Sequence, residues 1–343
     1  MKSVYIEFPM KDKVTNGEED ISLIGLGPYE AVIENEASII SSGTELATLN
    51  GSINNAKFPV RPGYGSIGRI IAKGETLSHF EIGQRVFYAG KHASVQKFDC
   101  NGGNQWQFLF PVPEQLDAIE AVIGCMAEIA MCAPNLTQLK IGDRVVVFGL
   151  GLVGNLAAQF YQLCGAKVLG VDPVAERCQR ARDVGIEHTL DVPPDQQVQA
   201  IMDWTGGKGA HVTVDAVGHS AIIENCVHTT TNHGQVLLLG SPRAPFSRDN
   251  ITPLWYLIHN KNLLIKGSHM KGIPLHSGIR PDVSVEWAFN LIFDLIDSRK
   301  LKVLPLISHI LAPHEAIEAY EGLMNRQHEY TGVVIDWRRT ESQ

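Results

Sequence analysis

Long hydrophobic runs are missing from this chain of 343 residues. No eighteen consecutive residues are apolar, and that excludes a membrane-spanning helix. A positive excess is missing too: 29 Lys and Arg against 37 Asp and Glu leave a formal net charge of −8. Such a balance speaks against a nucleic-acid or anionic-membrane partner, which calls for a basic face. Cysteine is sparse. The six thiols (Cys100, Cys125, Cys132, Cys164, Cys178, Cys226) are never closer than seven residues, which suits neither a disulfide scaffold nor a Cys-x-x-Cys zinc knuckle. The first residues, Met1 to Val14, hold two apolar islands broken by charges and no signal-peptide core, so a cytoplasmic protein is expected. Internal repeats and low-complexity segments are also missing. What remains is ordinary globular composition, 44% hydrophobic and 19% charged, enough for one large domain or two ordinary ones.

Residues 1 to about 115 read as strand and turn. Runs such as Ala31–Asn35, Gly68–Ala72 and Arg85–Ala89 alternate with Gly, Pro and Asn clusters, at a spacing near ten residues. That texture predicts a partly closed barrel or a sandwich. A helix follows over 117–134, with Pro134 beyond its end. Then apolar strands alternate with amphipathic helices: Arg144–Phe148, Leu152–Cys164, Lys167–Val171, Ala175–Val184, Val212–Ala216 and Val236–Gly240. Strands this apolar, each followed by a crossover helix, predict a parallel sheet covered on both faces. After about residue 270 the pattern is mixed again, with helices near 283–299 and 313–326 and a last strand from Gly332 to Asp336. The expected layout is a β-rich domain over 1–118, a nucleotide-binding domain over 119–268, and a return segment over 269–343 that completes the first.

The sharpest motif is Gly149-Leu-Gly151-Leu-Val-Gly154. A glycine pattern alone is weak, but this one follows a strand and opens a helix, where its mechanism requires it. Gly149 allows the tight turn, Gly151 lets backbone approach a pyrophosphate, and Gly154 lets helix pack on strand. Amides of the first helical turn, including those of Leu152 and Val153, then face the phosphates. Asp172 closes the next strand, about 20 residues on, where a carboxylate accepts the ribose hydroxyls and repels a 2′-phosphate. Arg177 lies five residues further and is read as stacking on adenine. The pattern points to NAD(H) rather than NADP(H).

These motifs do not stand alone. Gly83-Gln-Arg-Val, Lys140-Ile-Gly-Asp-Arg-Val-Val-Val, Val214-Asp-Ala-Val-Gly, Gly234-Gln-Val-Leu-Leu-Leu-Gly and Ile265-Lys-Gly-Ser follow in order. With the glycine loop they resemble the medium-chain dehydrogenase/reductase superfamily, which includes zinc alcohol and polyol dehydrogenases, over almost the whole chain. The resemblance implies a GroES-like β-rich catalytic domain, a doubly wound Rossmann domain, and a homodimer joined edge to edge through the Rossmann sheets. It also implies cofactor contacts at Val217, Gly240, Ser241 and Ser268.

The departures from that family are as informative. Where zinc members carry Cys-Gly-Ser/Thr-Asp, this chain has Ser42-Gly43-Thr44-Glu45; where they carry Gly-His-Glu, it has Gly63-Tyr64-Gly65. The third ligand position aligns with Gly124, beside Cys125. A catalytic zinc needs three Cys, His or carboxylate ligands, and Ser42, Tyr64 and Gly124 do not supply them. No zinc is therefore expected. The segment around Ser42 and Pro62-Gly-Tyr-Gly-Ser-Ile-Gly-Arg is similar to a zinc-free offshoot related to bacteriochlorophyllide dehydrogenases.

Without the metal, protein donors must hold the charge that develops on the substrate oxygen. Thr44 matches the hydroxyl that contacts this oxygen in zinc relatives, although the next relay position is Ala47. Tyr64 stands at a ligand position. His92, in Gly90-Lys-His-Ala-Ser, offers an imidazole suited to proton shuttling, and His269 is a weaker candidate. Asn50–Phe58, Cys125 and residues near 269–280 are expected around the substrate. The leading expectation is a zinc-independent, NAD(H)-dependent oxidoreductase that interconverts a secondary alcohol (a polyol, a cyclitol or similar) and a ketone. The alternatives are a zinc-free enoyl or quinone reductase, and a dinucleotide-binding protein without catalysis.

Overall fold

The first two strands after residue 143 carry no polar face. Val145 to Phe148 and Val168 to Val171 are buried residue after residue, as strands covered on both sides must be. In the computed structural model, which describes residues 1–52, 57–103, 106–241, 250–270, 273–276 and 284–339, these strands belong to a six-stranded parallel sheet. Its order is His188–Leu190, Lys167–Val171, Arg144–Phe148, Ala210–Asp215, Thr230–Leu238, Leu264–Gly267. In chain order this reads 3-2-1-4-5-6, the doubly wound arrangement with its switch point beside the first strand. Helices Leu152–Leu163, Ala175–Asp183, Pro194–Trp204 and Ser220–Thr229 make the crossovers. The core joins Val146, Phe148, Leu169 and Val171 to Ile201, Cys226, Val227 and Val236.

The second sheet has seven strands. Glu30–Ile40 is its spine, pairing antiparallel with Ser66–Lys73, Val95–Asp99 and Gly332–Asp336. The return segment thus pairs directly with the spine of the N-terminal sheet. Ile307–Leu311 extends this sheet in parallel, while Arg85–Tyr88 and Leu109–Pro111 continue its other edge. Phe8, Ile40, Leu49, Tyr320, Val333 and Ile335 share one core, so residues from both ends of the chain fill it.

The chain divides into two compact units, Met1–Cys125 with Ile273–Gln343, and Met126–Gly272. The sequence placed these divisions at 118/119 and 268/269. The first falls inside a helix, and the expected 117–134 helix is two pieces, Ala118–Ala121 and Gly124–Asn135. Asp117 caps the first piece by accepting from the Ile119 amide at 2.8 Å. Pro134 lies inside the second piece rather than beyond it. It has no amide to offer the Ala130 carbonyl, and the helix stops one residue later, with the Leu136 amide bonded to the Cys132 carbonyl at 3.1 Å.

A further difference concerns hydropathy. Ala118–Asn135 is long and apolar enough, by length and composition, to cross a bilayer, although it is not uniformly apolar. Within the protein 83% of it is buried, so its apolar surface is already used by the core.

Candidate functional site

In the six-stranded unit the glycine loop sits at the switch point. Gly149 has φ +89°, a region open to glycine at no cost, and its amide bonds the Val171 carbonyl at 2.8 Å. A Cβ at Gly154 would lie 1.9 Å from the Gly149 carbonyl oxygen, whereas a Cβ at Gly151 would meet nothing within 4 Å. The two glycines therefore differ in purpose: Gly154 lets helix Leu152–Leu163 close on the turn, and Gly151 leaves open space at the helix N-terminus. Unpaired amides facing open space at a helix start make an anion cradle. The residues present fit the pyrophosphate of a dinucleotide.

Asp172 closes strand Lys167–Val171, but its carboxylate is more occupied than the sequence implied. One oxygen accepts from the Leu150 amide at 2.8 Å and from Arg177 at 3.4 Å; the other accepts from the Val174 amide at 2.9 Å. The residue is 1% exposed. It fastens the glycine loop to the strand end, and Arg177 covers it. Each carboxylate oxygen has two lone-pair sites, so acceptance of ribose hydroxyls requires Arg177 to swing aside.

Val217 lies over the loop, 2.7 Å from where a Gly149 Cβ would be. Gly240 and Ser241 press against Gly218, whose amide, with that of Val217, donates to Asp215 Oδ1 at 2.9 Å. Ser268 follows the last strand, and its Oγ is buried with no hydrogen-bond partner among the described residues. Buried polar atoms are normally satisfied, so this hydroxyl marks a place built to meet something else.

In the other unit a buried polar network surrounds helix Ser42–Leu49. Glu45, 3% exposed, accepts three bonds: from the Ser41 amide at 2.9 Å, from His92 Nε2 at 3.0 Å and from the Tyr320 hydroxyl at 2.5 Å. His92 Nδ1 lies 2.8 Å from Ser38 Oγ, which accepts from Trp337 Nε1 at 2.9 Å. Both ring nitrogens of His92 are thus engaged, Nδ1 with the Ser38 hydroxyl and Nε2 with the Glu45 carboxylate. Trp337, Ser38 and His92 form a hydrogen-bonded series that ends at Glu45.

Tyr64 joins this network at its outer side. Its hydroxyl donates to Ser41 Oγ and also bonds the Thr44 side chain. Burial first, then the neighbouring Cys125, pushes the phenol well above its ordinary range, against the opposing effect of the Ser41 and Thr44 bonds. A phenol held protonated is a hydrogen-bond donor rather than a base. Trp106 packs edge-on at 5.9 Å.

The structure therefore brings Thr44 and Tyr64 together and separates His92 from them. The imidazole is fully buried, with both nitrogens engaged, rather than on an exposed loop. Of the expected substrate-side segments, residues 53–56, 271–272 and 277–280 lie outside the described residues. Sequence reasoning missed Ser41, Glu45 and Tyr320. An acidic residue in the first turn after Ser41-Ser42 carried a capping signal for Glu45, but nothing local marked Tyr320.

The zinc positions can be tested the same way. The Tyr64 phenol is protonated and bonded to Ser41. A side chain at Gly124 would meet Phe293 at 3.1 Å and Phe289 at 3.5 Å, so that position faces an aromatic cluster. Cys125 is the residue that reaches Tyr64, its Sγ 3.8 Å from the Tyr64 carbonyl. Among the described residues no three His, Cys, Asp or Glu side chains gather as a metal-binding group. The donors present do not fit a catalytic zinc.

Two domain families match: the alcohol dehydrogenase GroES-like domain over residues 27–135, and the zinc-binding dehydrogenase domain over 153–285. The (R,R)-butanediol dehydrogenase of Bacillus subtilis is 24% identical over 253 residues, covering 67% of this chain and 70% of that one. Among solved structures, the short chain alcohol dehydrogenase of Escherichia coli CFT073, complexed with NADH, superposes with TM-score 0.79 at 17% identity, covering 98% of this chain and 99% of its own. A Sinorhizobium meliloti 1021 dehydrogenase bound to NADP gives TM-score 0.77 at 17% identity, with 98% and 99% covered. The GroES-like match falls on the unit that holds Tyr64 and Glu45, the dehydrogenase match on the glycine-loop helix and the strands after it, and together they place the chain in the medium-chain dehydrogenase/reductase superfamily, as an oxidoreductase.

Proposed function

We propose that this enzyme interconverts a secondary alcohol, of polyol, cyclitol or similar type, and its ketone, using NAD(H) and no zinc. The observation that carries the reading is the hydrogen-bonded hydroxyl group of Tyr64, Ser41 and Thr44, with Tyr64 at one of the positions the family resemblance assigns to a zinc ligand. In the ketone direction, hydride arrives at the carbonyl carbon and negative charge grows on oxygen. Preorganised donors lower that cost, and Tyr64 and Thr44 are the donors assigned to it. Glu45 fixes Ser41 through its amide, His92 braces Glu45, and the neutral phenol is kept from ionising. The dinucleotide supplies and accepts the hydride when bound. Gly149, Gly151, Leu152, Val153 and Gly154 would hold its pyrophosphate; Asp172 and Arg177 its adenosine half; Val217, Gly240, Ser241 and Ser268 line the way beyond. Asp172 supports NAD(H) over NADP(H), because a 2′-phosphate would meet its charge. The (R,R)-butanediol relative supports the secondary-alcohol class.

A homodimer is part of this proposal. Strand Leu264–Gly267 is a sheet edge, and helix Thr252–Lys261 buries no residue. Trp255, Tyr256 and Leu264 are all more than half exposed there, an apolar surface that suits a second copy.

The test is turnover with NAD⁺ or NADH against secondary alcohols, ketones, enones and quinones. Ketone reduction coupled to NADH loss is the expected result. Activity confined to enones or quinones would replace this reading with the reductase alternative.

A further inference from the structure

Ser41 stands between strand Glu30–Ile40 and helix Ser42–Leu49, at the helix cap, yet its side chain makes no capping bond. A serine at that position ordinarily accepts from an amide of the first turn. Here the oxygen is diverted: it accepts from the Tyr64 phenol. Among the described residues that is the one bond of this hydroxyl, so its own proton has no acceptor. The residue is 7% exposed, and a buried donor left unused is costly.

The main chain of Ser41 is held on both sides of its Cα. Its amide donates to Glu45 Oε1 at 2.9 Å, and its carbonyl accepts from the Glu45 amide at 2.8 Å. Glu45 is held in turn by His92 at 3.0 Å and Tyr320 at 2.5 Å. The side-chain torsions alone are left free, so the hydroxyl can turn while its anchor stays in place.

The phenol has one proton and room to accept. In the structure that proton is spent on Ser41, and the Thr44 hydroxyl bonds the same phenol oxygen. For Tyr64 to donate to a substrate oxygen, its proton must leave Ser41. The Ser41 hydroxyl then faces the phenol oxygen with an unused proton of its own.

We propose that Ser41 reverses its bond to Tyr64 during the reaction, accepting from the phenol in the free enzyme and donating to it once the phenol turns to the substrate. Only two O–H groups rotate, and no covalent bond changes in the reversal. Hydroxyls in series polarise one another, so a phenol that accepts from Ser41 donates more strongly to an oxygen gaining negative charge. The gain is small for a neutral ketone and large in the transition state, which is what raises turnover. In the free enzyme the same serine competes with substrate for the phenol's proton. Ser41 is thus a positioning residue that acts through Tyr64. The inference rests on the reading of Tyr64 as the donor to the substrate oxygen.

The experiment is steady-state kinetics with the fastest ketone of the panel above, for wild type, Ser41→Ala, Ser41→Thr, Tyr64→Phe and the double variant Tyr64→Phe/Ser41→Ala. Each variant keeps the Ser41 amide and carbonyl, hence the Glu45 anchor, and urea unfolding checks that each is folded. Ser41→Ala should lower kcat about tenfold, the order of one hydrogen bond to a charged group, with KM for the ketone no higher than in wild type. Ser41→Thr, which restores a hydroxyl, should recover most of that loss. In the Tyr64→Phe background Ser41→Ala should cost less than about twofold, because the group it acts through is already gone. Wild-type kcat in Ser41→Ala, a KM that rises with the loss, or a tenfold loss that persists beside Tyr64→Phe would overturn the reversal. Near wild-type turnover in Tyr64→Phe would instead overturn the donor reading beneath it.

Discussion

Replacing Glu45 with glutamine tests whether the buried network is as strongly coupled as its geometry implies. The carboxylate accepts from the Ser41 amide on one oxygen and from His92 and Tyr320 on the other. Glutamine has one acceptor oxygen and one NH₂ in the same volume. Its best orientation keeps the oxygen on His92 and Tyr320 and turns NH₂ against the Ser41 amide, donor against donor. One orphaned buried donor costs about 1–3 kcal/mol, and two bonds that lose charge assistance cost about 1 kcal/mol each. The sum is about 3–5 kcal/mol. For a unit of about 200 residues that lowers Tm by roughly 6–20 °C. Thermal and urea unfolding of Glu45→Gln, Tyr320→Phe and the double variant measure this. The double variant should lose clearly less than the sum, because the partner missing in one is already missing in the other. Glu45→Gln within about 0.5 kcal/mol of wild type, or strict additivity, would refute the coupling.

Tyr64→Phe should lower kcat and kcat/KM together by about 10²-fold while ADP-ribose affinity holds, as loss of one oxyanion donor does; near wild-type turnover would make the phenol mere filler. Purified enzyme should carry well under one zinc per chain by elemental analysis and keep its activity in chelator, and stoichiometric zinc needed for turnover would contradict the reading of Ser42, Tyr64 and Gly124. Asp172→Ser should narrow or reverse the preference for NADH over NADPH in paired titrations, whereas tighter NADPH binding by wild type would remove the carboxylate's assigned role. Glu128 has a raised pKa in the folded state, so folding binds its proton and stability falls by about 1.4 kcal/mol per pH unit between about 4.5 and 8. Glu128→Gln should flatten that part of the urea-midpoint profile and be the more stable protein at pH 8; an unchanged slope would mean the carboxyl ionises freely.

What could be read in the chain divides by distance along it. The strands around the glycine loop are local patterns, and Arg144–Phe148 and Lys167–Val171 coincide with their expected bounds, because continuous burial needs continuous apolar sequence. The loop and Asp172 lie within 25 residues of one another and could be read together. The occupation of Asp172 could not, since it depends on where the Leu150 amide points. The Glu45 network was invisible for a different reason. Tyr320 and Trp337 are separated from Glu45 and Ser38 by 275 and 299 residues, and no periodicity links a helix near one end to a strand near the other. The burial of His92 was not legible in its Gly-Lys-His-Ala-Ser segment, since it depends on the distant antiparallel bridge from Tyr5 to Ala93. Glu128 did carry a signal, as the one charge in a helix otherwise apolar enough to be wholly buried.

The pairing of Gly332–Asp336 with the spine of the N-terminal sheet also sets an order of events on the ribosome. Glu30–Ile40 is made early, yet its neighbour on one side emerges nearly 300 residues later. At typical synthesis rates of about 5–20 residues per second, that gap lasts about 15–60 s. Over this time the Ser38 hydroxyl has no Trp337, Glu45 lacks one of its three donors, and a row of strand amides stands open to any passing extended chain. The intervening sheet contains its own six strands and can form meanwhile. The nascent protein thus holds a finished six-stranded module tethered to an unfinished partner, and a nonsense codon between Gly267 and Trp337 would strand it in that state.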